Sequence, residues 1–318
     1  QINGVMVTEA STAFAMYEAG DLDHQGPPLE QMDRIKTDPV LSEQLLIAPR
    51  DCTYYYGFTT DKAPMDNVLV RKALSAAIDR QGLAEFVLKG GQIPANTFTP
   101  VMIFGSAAED TDIAPWALTE EQGGTGYDAA VELAKGWLQE AGYADGSELG
   151  TITLMHNTSE AHAQIAQAVA AMWKDTLNVD VAVENQEWAV YLDTIQTDTP
   201  VEEMPHVWRF GWCADYPDAN NWLNAVFAPD TGDNNIRWDN REYQDLIDQA
   251  RLSGDAEERS ALYKRAEMIL NDEVAAIAPI YYYTTVQMTQ PWVTSRTAGE
   301  MGGTSWFQWE IDWEAKKE

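Results

Sequence analysis

Between residues 127 and 213, the hydrophobic positions switch repeatedly between the spacing of a helix and that of a strand. A helix is predicted over 127–141, with Gly142 as the residue that ends it. Further helices are predicted at 160–177 and 187–197, and strands at 151–155 and 179–183. The β-formers Val207, Trp208, Phe210 and Trp212 predict the next strand. Strands that alternate with helices at these distances need crossover connections, which are right-handed by default. The pattern therefore predicts an α/β sheet.

An amphipathic helix is predicted immediately after Pro64 and Asn67. Its apolar face comprises Val70, Leu74, Ala77 and Ile78, and Arg71, Lys72, Asp79 and Arg80 lie largely off that face. The connector over 90–100 is rich in glycine and proline, and residues 101–126 are expected to be irregular.

The remaining elements are shorter or lie near the ends of the chain. Helices are predicted at 11–19, 29–35, 221–227, 241–252 and 255–271, and strands at 45–48, 53–58 and 279–286. The tail alternates like an edge strand packed on one face, through Trp306, Phe307, Trp309, Ile311 and Trp313.

Composition narrows the class of protein. The 318 residues are enough for two or more cores, and 45% hydrophobic content indicates a globular chain. The 51 acidic and 20 basic residues give a net charge of −31, which disfavours nucleic acid and anionic membranes as partners. A solvated acidic surface accounts for most of those carboxylates. Gln1 starts no signal-peptide pattern, and no apolar run reaches the ~18 residues that span a bilayer.

The two cysteines, Cys52 and Cys213, leave two interpretations open. A bond between them would close a very long loop and would place the protein outside the cytoplasm. Unbonded, both would be small buried hydrophobic residues.

The best candidate for a functional site is the stretch 206–218. Arg209, Cys213 and Asp215 lie there among Trp208 and Trp212, near the end of the predicted strand. Charged groups beside large aromatic surfaces can hold a small polar ligand. The alternative is that the tryptophans belong to the core and the charges are solvated.

Evidence for catalysis is weak by comparison. No nucleophile elbow, zinc-protease helix, phosphate loop or paired-cysteine motif is present, and the four histidines are scattered. Asp215 and Asp218 could serve as the two carboxylates of a glycosidase. A helix cap and a surface charge are the simpler interpretation of that pair.

Several motifs occur in the order found in one known family. Residues 211–218, Gly-Trp-Cys-Ala-Asp-Tyr-Pro-Asp, closely resemble the signature of the peptide-binding branch of the extracellular solute-binding proteins of family 5, which serve ABC importers. The match continues in Asp51-Cys-Thr-Tyr-Tyr-Tyr, in the segment 67–80, in Tyr127-Asp128 with Ala141-Gly-Tyr143, and in Ala278-Pro-Ile-Tyr-Tyr-Tyr283 with Pro291-Trp292. Within the family, the resemblance is to oligopeptide-binding proteins.

The resemblance implies a type II periplasmic-binding-protein fold of class α/β, with a large carboxy-terminal lobe and a partial first lobe. It implies capture of an extracellular oligopeptide and its delivery to a permease, with no chemistry, cofactor or metal. Asp215 would take the ligand's α-ammonium beside Trp212, and Arg209 would meet a peptide carboxylate or balance the local charge. The other residues that the resemblance assigns to ligand binding are Gly211 and Cys213 in the strand that bonds to the ligand main chain, the phenol of Tyr283, and Trp208. Cys52 and Cys213 would form a disulfide.

The resemblance also implies a division of the chain. Residues 1–51 would belong to the first lobe and its crossing to the second, 52–284 would form the second lobe, and 285–318 would return to the first. Family chains are considerably longer, so part of the first lobe is expected to be missing. The segment His24-Gln-Gly-Pro-Pro28 also lacks the expected asparagine-bearing strand.

The expected location is outside the cytoplasmic membrane, either in the periplasm or lipid-anchored, and the expected state is monomeric. Dipeptide, nickel and oligosaccharide binders belong to the same family. The 12 tryptophans keep a sugar ligand open, with Trp208, Trp212 or Trp222 as stacking platforms.

Overall fold

The computed structural model describes residues 2–294 and 309–317 of the chain. Its main element is a seven-stranded sheet with the strand order β1-β7-β2-β6-β4-β5, in which β3 also pairs with β7. The strands of this sheet are β1 (His24–Gln25), β2 (Leu45–Phe58), β3 (Ile93–Pro94), β4 (Thr151–Asn157), β5 (Asp180–Gln186), β6 (Val207–Cys213) and β7 (Ile277–Thr289). A separate pair consists of β8 (Val293–Thr294) and β9 (Glu310–Ile311).

Eleven α-helices in the described residues flank these strands. They are α1 (Ala10–Glu18), α2 (Met32–Thr37), α3 (Leu41–Gln44), α4 (Val68–Ala76), α5 (Arg80–Gly82), α6 (Tyr127–Glu140), α7 (Glu160–Leu177), α8 (Trp188–Thr194), α9 (Ala219–Trp222), α10 (Arg241–Leu252) and α11 (Ala256–Met268). Short π-helical turns continue α5, α9 and α11 at Leu83–Leu88, Leu223–Phe227 and Ile269–Glu273. Within the described ranges, no helix is long and apolar enough to cross a bilayer.

The predicted alternation of strands and helices is confirmed. β4 is parallel to both β5 and β6, whereas β2 is antiparallel to β6 and β7. The helix caps follow from sequence as well. The Asn67 side chain accepts from the backbone N–H of Leu69 at the start of α4, and Gly142, with φ +96°, follows the last turn of α6.

Two strand predictions were wrong in extent. The segments predicted as separate strands at 45–48 and 53–58 form the single strand β2, which carries a register shift between Pro49 and Thr53. Its first part is only partly buried, because one face has no core above it. In the described part of the tail, 309–317, only the two residues of β9 are in a strand, and Trp313 is exposed. Trp306 and Phe307 lie outside the described residues.

The sheet separates two large hydrophobic cores. Tyr54, Tyr56 and Phe58 of β2 point into the core covered by α4, α6 and α7, whereas Tyr55 points into the core covered by α8 to α11. This alternation is the two-residue period of a strand buried on both faces. A third, small cluster joins Phe14, Tyr17, Ile35 and Leu41 to Met288 of β7. The division of the chain at 51/52 and 284/285 stays a prediction.

Cys52 and Cys213 are paired directly across β2 and β6, with Cα atoms 4.1 Å apart, and they form a disulfide. The bond joins residues separated by 161 positions in sequence. It confirms the pairing that the family resemblance implied, and it fixes the last residue of β6 to β2.

We expect the Cys52→Ala/Cys213→Ala double variant to lose about 2–5 kcal/mol of unfolding free energy, because the bond restricts a long loop of the unfolded chain. Urea denaturation followed by circular dichroism measures the loss. A reductant should destabilise the wild type by a similar amount and leave the double variant unchanged. Equal stability of the oxidised wild type and the double variant would contradict the expectation.

Two arginines predicted to lie off the apolar face of α4 are buried instead. Arg71 donates to the carbonyls of Val274 and Met65, and Arg80 donates to those of Pro279 and Ser75. Backbone carbonyls replace water around both guanidinium groups, so burial leaves few donors without a partner. Hydrophobic periodicity cannot detect this arrangement, because the acceptors are distant in sequence.

The net charge of −31 generates repulsion among the carboxylates, because 20 Lys and Arg side chains offset only part of the 51 acidic ones. Raising NaCl from about 0.1 M to about 1 M shortens the Debye length from about 10 Å to about 3 Å, so the melting temperature should rise. Differential scanning calorimetry measures the shift. Near the isoelectric point of about 4.2, the same salt step should have much less effect. A melting temperature at pH 7 that is independent of salt would contradict this expectation.

Candidate functional site

The candidate site is built on the free edge of β6. β4 pairs with β6 only at Val207 and Trp208, after which the two strands separate. β2 pairs with β6 along the entire length of β6. Residues 209–213 are therefore extended and ordered, but no strand of the described chain pairs with their outer edge. An edge of this kind can bind an extended ligand through its main chain.

A side chain at Gly211, in the middle of this edge, would crowd two groups of the site. A Cβ at this position would lie 3.2 Å from Nη2 of Arg209 and 3.2 Å from the Tyr283 hydroxyl. Both groups would have to move to accommodate any other residue. The absence of a side chain at Gly211 therefore leaves room for the hydrogen bond between Arg209 and Tyr283, two residues that the resemblance assigned to the site.

Arg209 is a buried cation without a carboxylate partner among the described residues, and only 8% of its surface is exposed. Its Nη2 donates to the Tyr283 hydroxyl at 2.5 Å, its Nη1 donates to Oδ1 of Asn157 at 3.1 Å, and its guanidinium lies 4.6 Å from the Tyr54 ring centroid. Its Nε has no partner. A buried charge usually needs an opposite charge, so this group is suited to receive an anion.

Sequence reasoning missed two residues beside Arg209. Asn157 ends β4 and His162 lies in α7, and the sequence alone assigned neither of them to the site. The His162 ring lies 5.6 Å from the Tyr54 ring, and its Nδ1 is buried without a partner. We define the Arg209 cluster as Arg209, Tyr54, Asn157, His162 and Tyr283. No local sequence signal identifies it, because its members come from five separate elements.

Burial is the largest cause that lowers the pKa of His162 to about 2, and the charge of Arg209 and, in acid, that of protonated His156 contribute. The pKa of His156 is also lowered, chiefly by burial. Both imidazoles are therefore neutral at pH 7, and they leave Arg209 as the cation of the cluster.

This shift predicts a loss of stability in acid. The unfolded chain protonates His162 near pH 6.5, whereas the folded chain does so only near pH 2. The stabilisation is complete above pH 6.5 and decreases as pH falls below it, by about 2 kcal/mol between pH 7.5 and pH 5. The unfolding free energy of His162→Gln, measured with urea, should fall less over this interval than that of the wild type. Identical pH dependence in the two proteins would contradict the assignment.

Asp215 lies beyond the end of β6 with its side chain exposed. Its Oδ2 accepts from Nδ2 of Asn221 at 3.1 Å, and its backbone N–H donates to Oδ1 of the same asparagine at 2.9 Å. Ala214 N–H donates to the carbonyl of Asp51 at 3.0 Å, which fixes the segment between Cys213 and Asp215. The carboxylate is therefore accessible and held in one orientation.

Asp218 has a structural role instead. It accepts from Asn220 N–H as the N-cap of α9, as predicted, and its carboxylate pairs with Arg259 at 2.9 Å. A carboxylate that is committed to a cap and an ion pair is not free to serve as a nucleophile. These contacts favour the interpretation of Asp218 as a helix cap over a role as a glycosidase carboxylate.

The tryptophans divide into core and surface groups. Trp208 was predicted to contact ligand, but its side chain is fully buried and packs against Tyr55 and Phe210. Trp222 is buried as well, whereas Trp212 is partly exposed. Trp188, which the sequence did not single out, is 44% exposed and stacks on Phe210 with centroids 5.9 Å apart. The strand's alternation directs Trp208 away from the Arg209 face.

Known proteins resemble this chain in sequence and in fold. The family model for bacterial extracellular solute-binding proteins, family 5 Middle, matches residues 1–234. The chain belongs to this family. It is 35% identical over 290 residues to the oligopeptide-binding protein OppA of Bacillus subtilis, a match that covers 89% of this chain and 50% of the relative. It is 33% identical to the periplasmic oligopeptide-binding protein OppA of Salmonella typhimurium, over 93% of this chain and 52% of that relative.

Solved structures agree with the sequence relatives. The murein tripeptide binding protein MppA of Escherichia coli superposes with a TM-score of 0.78 at 34% identity, covering 95% of this chain and 56% of its own. Haemophilus influenzae OppA in complex with RPPGFSPFR gives a TM-score of 0.78 at 30% identity, with the same coverage. These relatives confirm the type II periplasmic-binding-protein fold, and they are solute-binding proteins rather than enzymes. This family 5 chain spans about half the length of the curated relatives it matches.

Proposed function

We propose that this chain is part of the substrate-binding component of an ABC importer, which captures extracellular oligopeptides and delivers them to a membrane permease. One observation carries the proposal. The edge of β6 that no described strand pairs with runs from the buried Arg209, which has no carboxylate partner among the described residues, to the exposed carboxylate of Asp215. The names of the oligopeptide-binding and murein tripeptide-binding relatives support the same class of ligand.

The two ends of the edge suit different groups of a peptide. The carboxylate of Asp215 would accept the α-ammonium, an interaction worth about 1.5–3 kcal/mol when it is shielded from water. Residues 209–213 would bond to the peptide main chain, a mode of binding that does not depend on side chains. The Arg209 cluster would receive a ligand carboxylate or balance another negative group.

Sugar binding is less well supported, because Trp208 and Trp222 are buried and leave Trp212 and Trp188 as possible platforms. A thermal shift with cello-oligosaccharides but not with peptides would favour it. No group of three or more His, Cys, Asp or Glu side chains suited to a metal ion occurs in the described part of the chain. We place the protein outside the cytoplasmic membrane, in agreement with the periplasmic relatives.

Calorimetric titration with a tripeptide and its N-acetylated form tests the Asp215 assignment. Acetylation removes the charge of the amine, so it should weaken binding to the wild type by about tenfold or more. In Asp215→Asn the two forms should bind almost equally.

Asp245→Asn is a matched control, because it makes the same change in net charge at an exposed position of α10. It should retain the wild-type preference for a free amine. Equal affinities of the wild type for both peptides would contradict the proposed role of Asp215.

A further inference from the structure

We propose that Asn221 is the positioning residue of the site, because it holds both the Asp215 carboxylate and the Trp212 indole in the orientation that a ligand amine requires. This inference rests on the proposed function and goes beyond it, since it assigns the preference for a free amine to a second, buried side chain. Asn221 is 2% exposed and contacts the ligand-facing groups from behind.

A single carboxamide makes three hydrogen bonds here. Oδ1 of Asn221 accepts from the backbone N–H of Asp215 at 2.9 Å and from the indole Nε1 of Trp212 at 3.3 Å. Nδ2 donates to Oδ2 of Asp215 at 3.1 Å. Among the described residues, none bonds to Oδ1 of Asp215, which leaves that oxygen available for a ligand.

The carboxamide is suited to this task because it accepts and donates on the same plane. A carboxylate could not donate to Oδ2, and an ammonium could not accept from the indole and the backbone N–H. A hydroxyl is too short to reach all three groups. The site therefore needs an amide at this position, and an aspartate or serine would supply only part of the network.

The helix that carries Asn221 is itself fixed. Asp218 caps α9 and pairs with Arg259 at 2.9 Å, and Ala219 N–H donates to the Phe104 carbonyl at 2.8 Å. The next residue, Trp222, is fully buried in the core beneath the site. Asn221 therefore connects the packed core to the exposed carboxylate of Asp215, whose side chain has two rotatable torsions.

Preorganisation has a measurable consequence for binding. A free Asp215 side chain would sample several rotamers, and the ligand would have to select one of them at an entropic cost. The Trp212 indole would also lose its hydrogen bond to Oδ1 of Asn221 and become free to turn away from the site. Both effects act on the charged amine, and neither acts on the main-chain bonds along β6.

The test compares binding of a free tripeptide and its N-acetylated form to the wild type, Asn221→Ala and Asn220→Ala in the full chain. Asn221→Ala should reduce the ratio of the two affinities by about tenfold, the effect expected on losing hydrogen bonds to a charged group. Asn220→Ala is the matched control, because its Oδ1 accepts from the Tyr216 hydroxyl and does not contact Asp215. It should keep the wild-type ratio.

A general loss of folding would lower the active fraction for both peptides and leave their ratio unchanged. Asn221→Ser provides a second variant that keeps the buried position polar, and it should reduce the ratio as well. In both variants, the amide of Asp215 and the indole N–H of Trp212 should lose protection from hydrogen exchange.

The outcomes separate the inference from the function. A wild type that prefers the free amine, together with Asn221 variants that keep the full preference, would overturn the role of Asn221 and leave that of Asp215 intact. A wild type without any preference would overturn the amine anchor, and the role of Asn221 with it.

Discussion

The separation of β4 from β6 after Trp208 is the constraint on which the site depends. A central strand normally has neighbours on both edges, and β6 has both only for its first two residues. Pairing with β2 continues to Cys213, where the disulfide to Cys52 secures the end of the ladder. The strand therefore remains extended although one edge is open. Without that one-sided support, residues 209–213 would lose the geometry that lets their backbone groups bind a main chain.

In the Arg209 cluster, the proposed binding role and the stability of the protein would oppose each other. Within the described part of the chain, the buried guanidinium has the Tyr283 hydroxyl, the Asn157 side-chain oxygen and the Tyr54 ring as partners. Such a group is less stable than one paired with a carboxylate. Neutral His162 cannot compensate for the charge, and its Nδ1 remains without a partner. An anion entering this cluster would satisfy groups that the protein leaves unpaired. The free energy of pairing these groups would then contribute to affinity for the ligand rather than to the stability of the protein without it.

Local patterns were sufficient to predict the α/β region, because its helices and strands are regular and their caps are adjacent in sequence. They failed where the deciding partner was distant. The burial of Arg71 depends on the carbonyl of Val274, and the burial of Trp208 depends on Tyr55 across the sheet. The family resemblance implied the disulfide between Cys52 and Cys213, which their spacing in the sequence left undecided. Neither approach found His162, because its role arises only when α7 lies beside the tyrosines of β2.

Asp215 and Asp218 illustrate why residue type alone does not determine function. The two carboxylates are three positions apart in sequence. Asp218 caps α9 and forms an ion pair with Arg259, whereas Asp215 is held by the neutral amide of Asn221 and remains exposed. A cation beside Asp215 would satisfy its charge and compete with a ligand amine. Asn221 orients the carboxylate without neutralising it, so the charge stays available. The neutrality of the supporting residue is therefore as important to the site as the carboxylate itself.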